Sequence, residues 1–159
     1  MWTLLESPIG TLRVVGKDAK ITAIDFAPHH PTSGRPLGDR ADDDPLMVRA
    51  REQLTAYFAK GLREFDLPLN PDGTEFQQRV WAYLRRIPYG VTVSYGQVAR
   101  GIGLTPAASR AVGLANGRNP IPIVIPCHRV IGADGSLTGY AGGVERKQRL
   151  LDLEQDALF

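Results

Sequence analysis

Asn70-Pro71-Asp72-Gly73 is the strongest chain-breaking run in the sequence, and the residues on its two sides follow different periodicities. Upstream, Trp2 to Leu5, Thr11 to Val15 and Ile21 to Phe26 are short, rich in β-branched residues and punctuated at Ser7-Pro8-Ile9-Gly10, which predicts a small antiparallel meander. Pro28 to Asp44 lacks apolar periodicity and reads as a loop, with His29 and His30 in it as adjacent solvent-exposed residues. Leu46, Val48, Ala50, Leu54, Tyr57 and Phe58 then set a helix over Pro45 to Lys60 that packs one face on the sheet, Pro45 at its first position and Gly61 past its end. Phe65 to Leu69 reads as one more strand. Downstream of the break the pattern turns helical. Thr74 with Gln77 forms a capping box, and Phe76, Val80, Trp81, Leu84 and Ile87 mark the buried face of a helix that ends near Pro88-Tyr89-Gly90. Ser94 with Gln97 opens a short helix through Ile102, broken by Gly101 and Gly103; Thr105 caps a third, with Pro106 at its first position, that runs to Gly117. Two short helices about a tight glycine turn suggest a helix-turn-helix. The expected fold is α+β: an N-terminal sheet domain over residues 1–72 and a mostly helical C-terminal domain over residues 73–159. Trp2, Trp81, Phe76 and the methionines are assigned to core.

A chain of 159 residues with 43% hydrophobic content can bury its own core, which excludes disordered and collagen-like classes. Its single cysteine cannot form an internal disulfide, and Met1-Trp2-Thr3 does not open a signal peptide, so the expected location is the cytoplasm. The longest apolar runs fall far short of the roughly 20 residues a membrane helix needs. Net charge is +2 overall, but residues 1–72 carry 9 Lys+Arg against 11 Asp+Glu, whereas residues 73–159 carry 10 against 6, nine of the ten being arginine. A planar guanidinium bonds a phosphate in two places, so a basic second half fits nucleic acid; a solvated surface fits it equally well.

The chemistry-bearing run is Ile125-Pro126-Cys127-His128-Arg129-Val130. A free thiol has a pKa of about 8.5, so a nucleophilic cysteine needs a base or a positive neighbour. His128 and Arg129 are the candidates. Adjacent side chains of an extended segment point to opposite faces, so a direct Cys127–His128 bond requires a bend; otherwise a water must carry the proton. A carboxylate on the far ring nitrogen would fix the histidine tautomer, and Asp134, Glu145, Asp152, Glu154 and Asp156 are all available. Buried, inert packing accounts for a lone cysteine as well. Ala107, Ala108, Ala111, Gly113, Ala115 and Gly117 make the third helix of the second half unusually small-sided, suited to close approach of a neighbouring helix or the floor of a DNA groove.

Arg110-Ala111-Val112-Gly113, Asn119-Pro120, the Pro-Cys-His-Arg run and Gly139-Tyr140-Ala141-Gly142-Gly143 together resemble the O6-alkylguanine-DNA alkyltransferases, closely over Thr74 to Glu154. That resemblance implies a small ribonuclease-H-like sheet in the N-terminal domain. It also implies direct repair of double-stranded DNA, approached through the minor groove. An O6-alkylated guanine is flipped out and its alkyl group moves irreversibly to Cys127, in one turnover and with no cofactor; O4-alkylthymine is a further candidate substrate. By position, Cys127 is the acceptor, His128 the water-mediated base, Glu154 the carboxylate that orients it, Asn119 the brace of the turn and Tyr95 the proton donor to the leaving guanine. Arg110 fills the gap left by the flipped base, on a helix that approaches DNA through Ala111 and Gly113. Val130, Tyr140 and Ala141 line the base pocket, Ala141 without the hydroxyl that a serine gives some relatives. With no cysteine before Cys127, the zinc site of some members cannot be built, and Cys127 argues against the relatives that lack the acceptor and only flag lesions. The expected state is a monomer, with cooperativity on DNA left open. A non-enzymatic lesion-binding protein and a Cys-His-Glu hydrolase remain the competing readings.

Overall fold

The computed structural model describes residues 1–29 and 37–156, so His30 and the centre of the Pro28 to Asp44 loop lie outside the described residues. The chain divides into two compact units, Met1–Asp72 and Gly73–Phe159.

The first unit is a three-stranded antiparallel meander with one helix. β1 (Trp2–Ser7), β2 (Gly10–Lys17) and β3 (Lys20–Phe26) are ordered β1-β2-β3. Arg13 on β2 lies opposite Asp25 on β3 and pairs with it at 2.9 Å, a cross-strand ion pair. Leu12, Val14, Ile21 and Ile24 are buried against α1 (Pro45–Phe58), whose inner face is Leu46, Met47, Ala50, Leu54 and Tyr57. Asp44 caps that helix, accepting from Leu46 N and Met47 N. A Cβ on Gly16 would lie 2.9 Å from Met47 Cε, so glycine there lets the helix seat closely on the sheet.

Several expectations change. Phe65 to Leu69 is not a strand: only an isolated bridge joins Leu69 to Ile21, made by Ile21 N to Pro68 O and Asn70 N to Ile21 O. The loop before α1 is not wholly irregular, since Trp2 N donates to Asp39 O and Ala41 N to Trp2 O. α1 ends at Phe58, and the left-handed residue past it is Lys60, φ 63°, rather than Gly61, whose N–H instead returns to Ala56 O. His29, Met1, Trp2 and Phe76 are half-buried, Trp2 with the Arg40 guanidinium over its ring.

The second unit packs helices around a two-stranded parallel ladder. α2 (Glu75–Leu84) begins at a complete capping box between Thr74 and Gln77, and buries Val80, Trp81 and Leu84. The Trp81 indole N–H donates to Ala115 O at 2.9 Å. β4 (Val93–Ser94) runs directly into α3 (Tyr95–Gly101), opened by a second complete box between Ser94 and Gln97. Gly103, φ 85°, turns the chain toward α4 (Ser109–Gly117). Thr105 makes no capping hydrogen bond, and Pro106–Ala108 is a separate 3₁₀ turn, so that α4 starts only at Ser109. β5 (Val130–Ile131) pairs with β4, Val93 opposite Val130 and Ser94 opposite Ile131. α5 (Val144–Asp156) closes the unit. No helix among the described residues is long and apolar enough to cross a membrane.

The two threonines make the capping argument testable. Thr74→Ala should cost about 1 kcal/mol in chemical denaturation of the second unit, and Thr105→Ala only a few tenths.

Candidate active site

Cys127 is reached through a stack of tight turns. Ile125 N donates to Ile121 O at 2.9 Å, and Val124 N to Pro122 O at 2.9 Å, which forces Ile123 to φ 74°. A β-branched residue held there, 1% exposed, stores strain of about 1–3 kcal/mol. Cys127 N then donates to Ile125 O at 2.7 Å across Pro126, whose φ of −80° and ψ of 64° give an inverse γ-turn. Cys127–Arg129 itself is one 3₁₀ turn, not an extended segment, so the bend that sequence reasoning asked for is present. Asn119 clamps the stack from both ends, donating to Ile125 O at 2.7 Å and accepting from Ile121 N at 3.0 Å. Asn116 on α4 donates to Cys127 O at 3.2 Å.

His128 and Glu154 are brought together. His128 is fully buried, and its Nε2 lies 2.7 Å from Glu154 Oε2. Arg129 does not serve the thiol: its Nε and Nη2 grip the same carboxylate at 2.8 and 3.0 Å, while its Nη1 donates to Ile87 O at 2.7 Å. Burial alone would raise the Glu154 carboxyl, but hydrogen bonds and charge from His128 and Arg129 overcome it and hold the group well below the usual carboxylate range. An ionised carboxylate can only accept, so Nε2 carries the imidazole proton and donates it to Glu154. Burial lowers the His128 pKa despite that carboxylate, keeping the ring neutral. Its Nδ1 lone pair is therefore open, buried and without a hydrogen-bond partner among the described residues.

Cys127 is 4% exposed, and burial pushes its thiol up to about 11, against smaller opposing effects of Asn119 and Lys147. At pH 7 about one molecule in ten thousand would then carry the thiolate. The resting pair is neutral thiol and neutral imidazole. Nucleophilicity has to arise by proton removal during reaction.

The flanking residues converge from α3, β5 and the 138–143 segment. Tyr95, the first residue of α3, donates to Thr138 O at 3.1 Å, and its ring lies under Gly113 and beside Gly139. Val130 is fully buried at the start of β5. Tyr140 is buried, its phenol pushed well above its usual value by burial and by the nearby Cys127. Ala141 is exposed. On α4, Arg110 and Ala111 are exposed, whereas Gly113 is half-buried against Tyr95 rather than open to solvent. Among the described residues no group of three or more His, Cys, Asp or Glu is placed to hold a metal ion.

Sequence reasoning missed Asn116, Lys147 and the destination of Arg129. Two signals were available. Lys147, Leu150, Leu151 and Glu154 are buried at i, i+3, i+4, i+7 on α5, and Val112, Ala115, Asn116 and Asn119 repeat that spacing through α4 and beyond. A charged or amide residue on an apolar stripe marks a partnered site. Its partner is nonlocal, so spacing alone does not name it.

The model of the 6-O-methylguanine DNA methyltransferase ribonuclease-like domain matches residues 1–71, and that of the DNA binding domain of the same methyltransferase matches residues 75–156. The chain belongs to this family. Among the family's curated members, the methylated-DNA–protein-cysteine methyltransferase of Mycolicibacterium paratuberculosis is 53% identical over 95% of this chain and 90% of its own length. That of Methanosarcina acetivorans is 48% identical over 96% and 97%. The crystal structure of the Mycobacterium tuberculosis O6-methylguanine methyltransferase matches with a TM-score of 0.88 at 49% identity, covering 98% of this chain and 93% of that one. The Mycobacterium tuberculosis OGT structure in complex with DNA matches with a TM-score of 0.86 at 48% identity over the same shares. The expected family and the α+β class, with its ribonuclease-like N-terminal domain, are thus both found.

Glu154→Gln should leave the Arg129 charge buried and unpaired, at a cost of about 3–5 kcal/mol in denaturant unfolding. Because the folded Glu154 pKa is depressed, its contribution is present above the unfolded value of about 4.3 and is lost as pH falls below it. Stability measured from about pH 6 down to pH 2 should fall more steeply in the parent protein than in Glu154→Gln.

Proposed function

We propose that this chain repairs double-stranded DNA directly, moving the alkyl group of O6-alkylguanine to Cys127 Sγ once per molecule. The observation that carries this reading is the buried pair of neutral His128 and ionised Glu154 directly after buried Cys127 in the chain, with Nδ1 of His128 the open proton acceptor. It lies in a chain of a methyltransferase family, and one solved relative is in complex with DNA.

The proton of Cys127 passes through a water molecule to His128 Nδ1, and Glu154 stabilises the imidazolium that results. The sulfur attacks the alkyl carbon, an S–C bond forms and the C–O6 bond breaks. The electron pair leaves with guanine, which takes a proton from Tyr95. Tyr95 OH must exchange Thr138 O for the base to do this, and its place at the junction of β4 and α3 sets it beside the strand that follows Cys127. Asn119 braces the turn, and Val130, Tyr140 and Ala141 form the pocket. The thioether is neutral and has no nearby group able to cleave it, so the molecule is spent.

Reaching a base inside a duplex requires flipping it out, at a few kcal/mol. The exposed Arg110 fills the gap, and small-sided α4 approaches the minor groove through Ala111. Gly113 contributes from beneath, leaving room for the Tyr95 ring. Arginines of the second unit supply phosphate contacts without sequence preference.

An oligonucleotide duplex carrying O6-methylguanine should leave one methyl on Cys127 per protein by intact-mass and peptide analysis, and Cys127→Ser should take up none. Repeated turnover, or methyl on another residue, would overturn the reading; unchanged cellular protection by Cys127→Ser would favour a lesion-binding protein instead. Arg110→Ala should slow transfer from duplex by about tenfold or more while transfer from free O6-methylguanine changes little. Equal loss on both substrates would sink the flipping role.

A further inference from the structure

Two consecutive residues at the end of α4 touch two different segments of the site. Asn116 holds the acceptor turn, donating from Nδ2 to Cys127 O at 3.2 Å. Gly117, the last residue of the helix, meets the 138–143 segment: a Cβ built on it would lie 3.1 Å from Gly139 O, tighter than side-chain carbons normally come to a neighbour. The backbone does not ask for glycine here. Gly117 is not among the residues of positive φ, and glycine within a helix is less favourable than alanine by about 1 kcal/mol. What it supplies is room for close backbone approach.

The segment seated on Gly117 carries the pocket residues. Gly139, φ 66°, is followed by buried Tyr140 and exposed Ala141, and preceded by Thr138, whose carbonyl accepts from Tyr95 OH at 3.1 Å. The Tyr95 ring lies against the same helix, since a Cβ on Gly113, one turn before Gly117, would be 3.7 Å from Cδ1 and Cε1 of that ring. The two glycines differ in what they face. A methyl at Gly113 would make ordinary van der Waals contact with a side chain, whereas one at Gly117 would press on a backbone carbonyl, which cannot turn aside without moving the chain.

We propose that Gly117 is a specificity-determining residue: by letting the 138–143 segment seat on the last turn of α4, it sets the width of the base pocket and so the size of the O6 substituent that Cys127 accepts. The inference rests on the reading of Cys127 as alkyl acceptor and of Tyr140 and Ala141 as pocket residues. α4 is the common support of both walls. Through Asn116 it pins the turn that holds the thiol, and through the next residue it seats the segment that holds Tyr140 and Ala141. A side chain at 117 adds to the spacing between them. Gly139 O must then retreat from α4 by a few tenths of an ångström, while Asn116 keeps the acceptor turn in place. Thr138 O and the Tyr95 hydroxyl bound to it move with the segment. A methyl group loses the close walls that aim it at the sulfur, and a bulky substituent gains space.

The test is a ratio of rates. Transfer from free O6-benzylguanine and from free O6-methylguanine, each followed by intact mass of the protein, compares a large with a small substituent on one leaving group and without DNA. Gly117→Ala should raise the benzyl-to-methyl ratio by about tenfold over the parent, chiefly by slowing the methyl reaction, and Gly117→Val should raise it further. The shift that alanine asks of the chain is small and its helix propensity is higher, so the variant folds, which equilibrium unfolding checks. A merely structural role for Gly117 would slow both reactions in equal proportion, and an unchanged or lowered ratio would overturn the inference. Absence of transfer by the parent would sink the reading of Cys127 and this inference with it; transfer by the parent with an unmoved ratio would sink the inference alone.

Discussion

One carboxylate organises the second unit. Glu154 receives the imidazole of His128 and both forks of Arg129, so a single residue on α5 fixes two consecutive side chains of the turn that begins at Cys127. Buried ion pairs of this kind often contribute little net stability, since desolvation of both charges offsets their attraction. What this pair gives is geometry. With the carboxylate held ionised by the Arg129 guanidinium, the tautomer of His128 is set, and its second nitrogen is left as an acceptor. Arg129 thus acts at one remove, by deciding what Glu154 is and therefore which nitrogen of His128 carries the proton.

The turn stack from Asn119 to Cys127 is the second constraint, and it has a different character. It is built from short-range backbone hydrogen bonds, two buried asparagines and one strained isoleucine, with apolar packing around all of them. Nothing in it is charged. It positions the sulfur, and Asn119 opposes only in part the burial that raises the thiol's pKa. The thiol therefore rests protonated, while the ionised groups beside it, Arg129 and Glu154, are satisfied by one another rather than by the sulfur.

The parts of this fold that were legible in the sequence are those whose partners are near in sequence. The capping boxes at Thr74 and Ser94, the meander and the stripe of α2 follow from hydrogen bonds and periodicities spanning a few residues. Thr105 failed because the chain enters through a 3₁₀ turn at Pro106–Ala108 and the α-helix starts at Ser109, four residues past the threonine. Phe65 to Leu69 failed because it meets β3 at the single bridge between Leu69 and Ile21, and Pro68 within it has no N–H to extend a ladder. In the candidate site, Cys127, His128 and Glu154 could be listed from the motif, and residue types alone left five acids open as the histidine's partner. Lys147 and Asn116 needed the fold, since what makes them informative is polarity on a buried face and a partner in another segment.

The Trp81 indole, bonded to the carbonyl of Ala115, gives the molecule an optical property. The chain has two tryptophans, and Trp2 belongs to the other unit. Each unit therefore carries one tryptophan, in different surroundings: Trp2 half exposed beneath a guanidinium, Trp81 enclosed and hydrogen-bonded to α4. Emission from Trp81 reports the seating of α4 against α2, so replacing Trp2 by phenylalanine converts the protein into a label-free sensor of that helix.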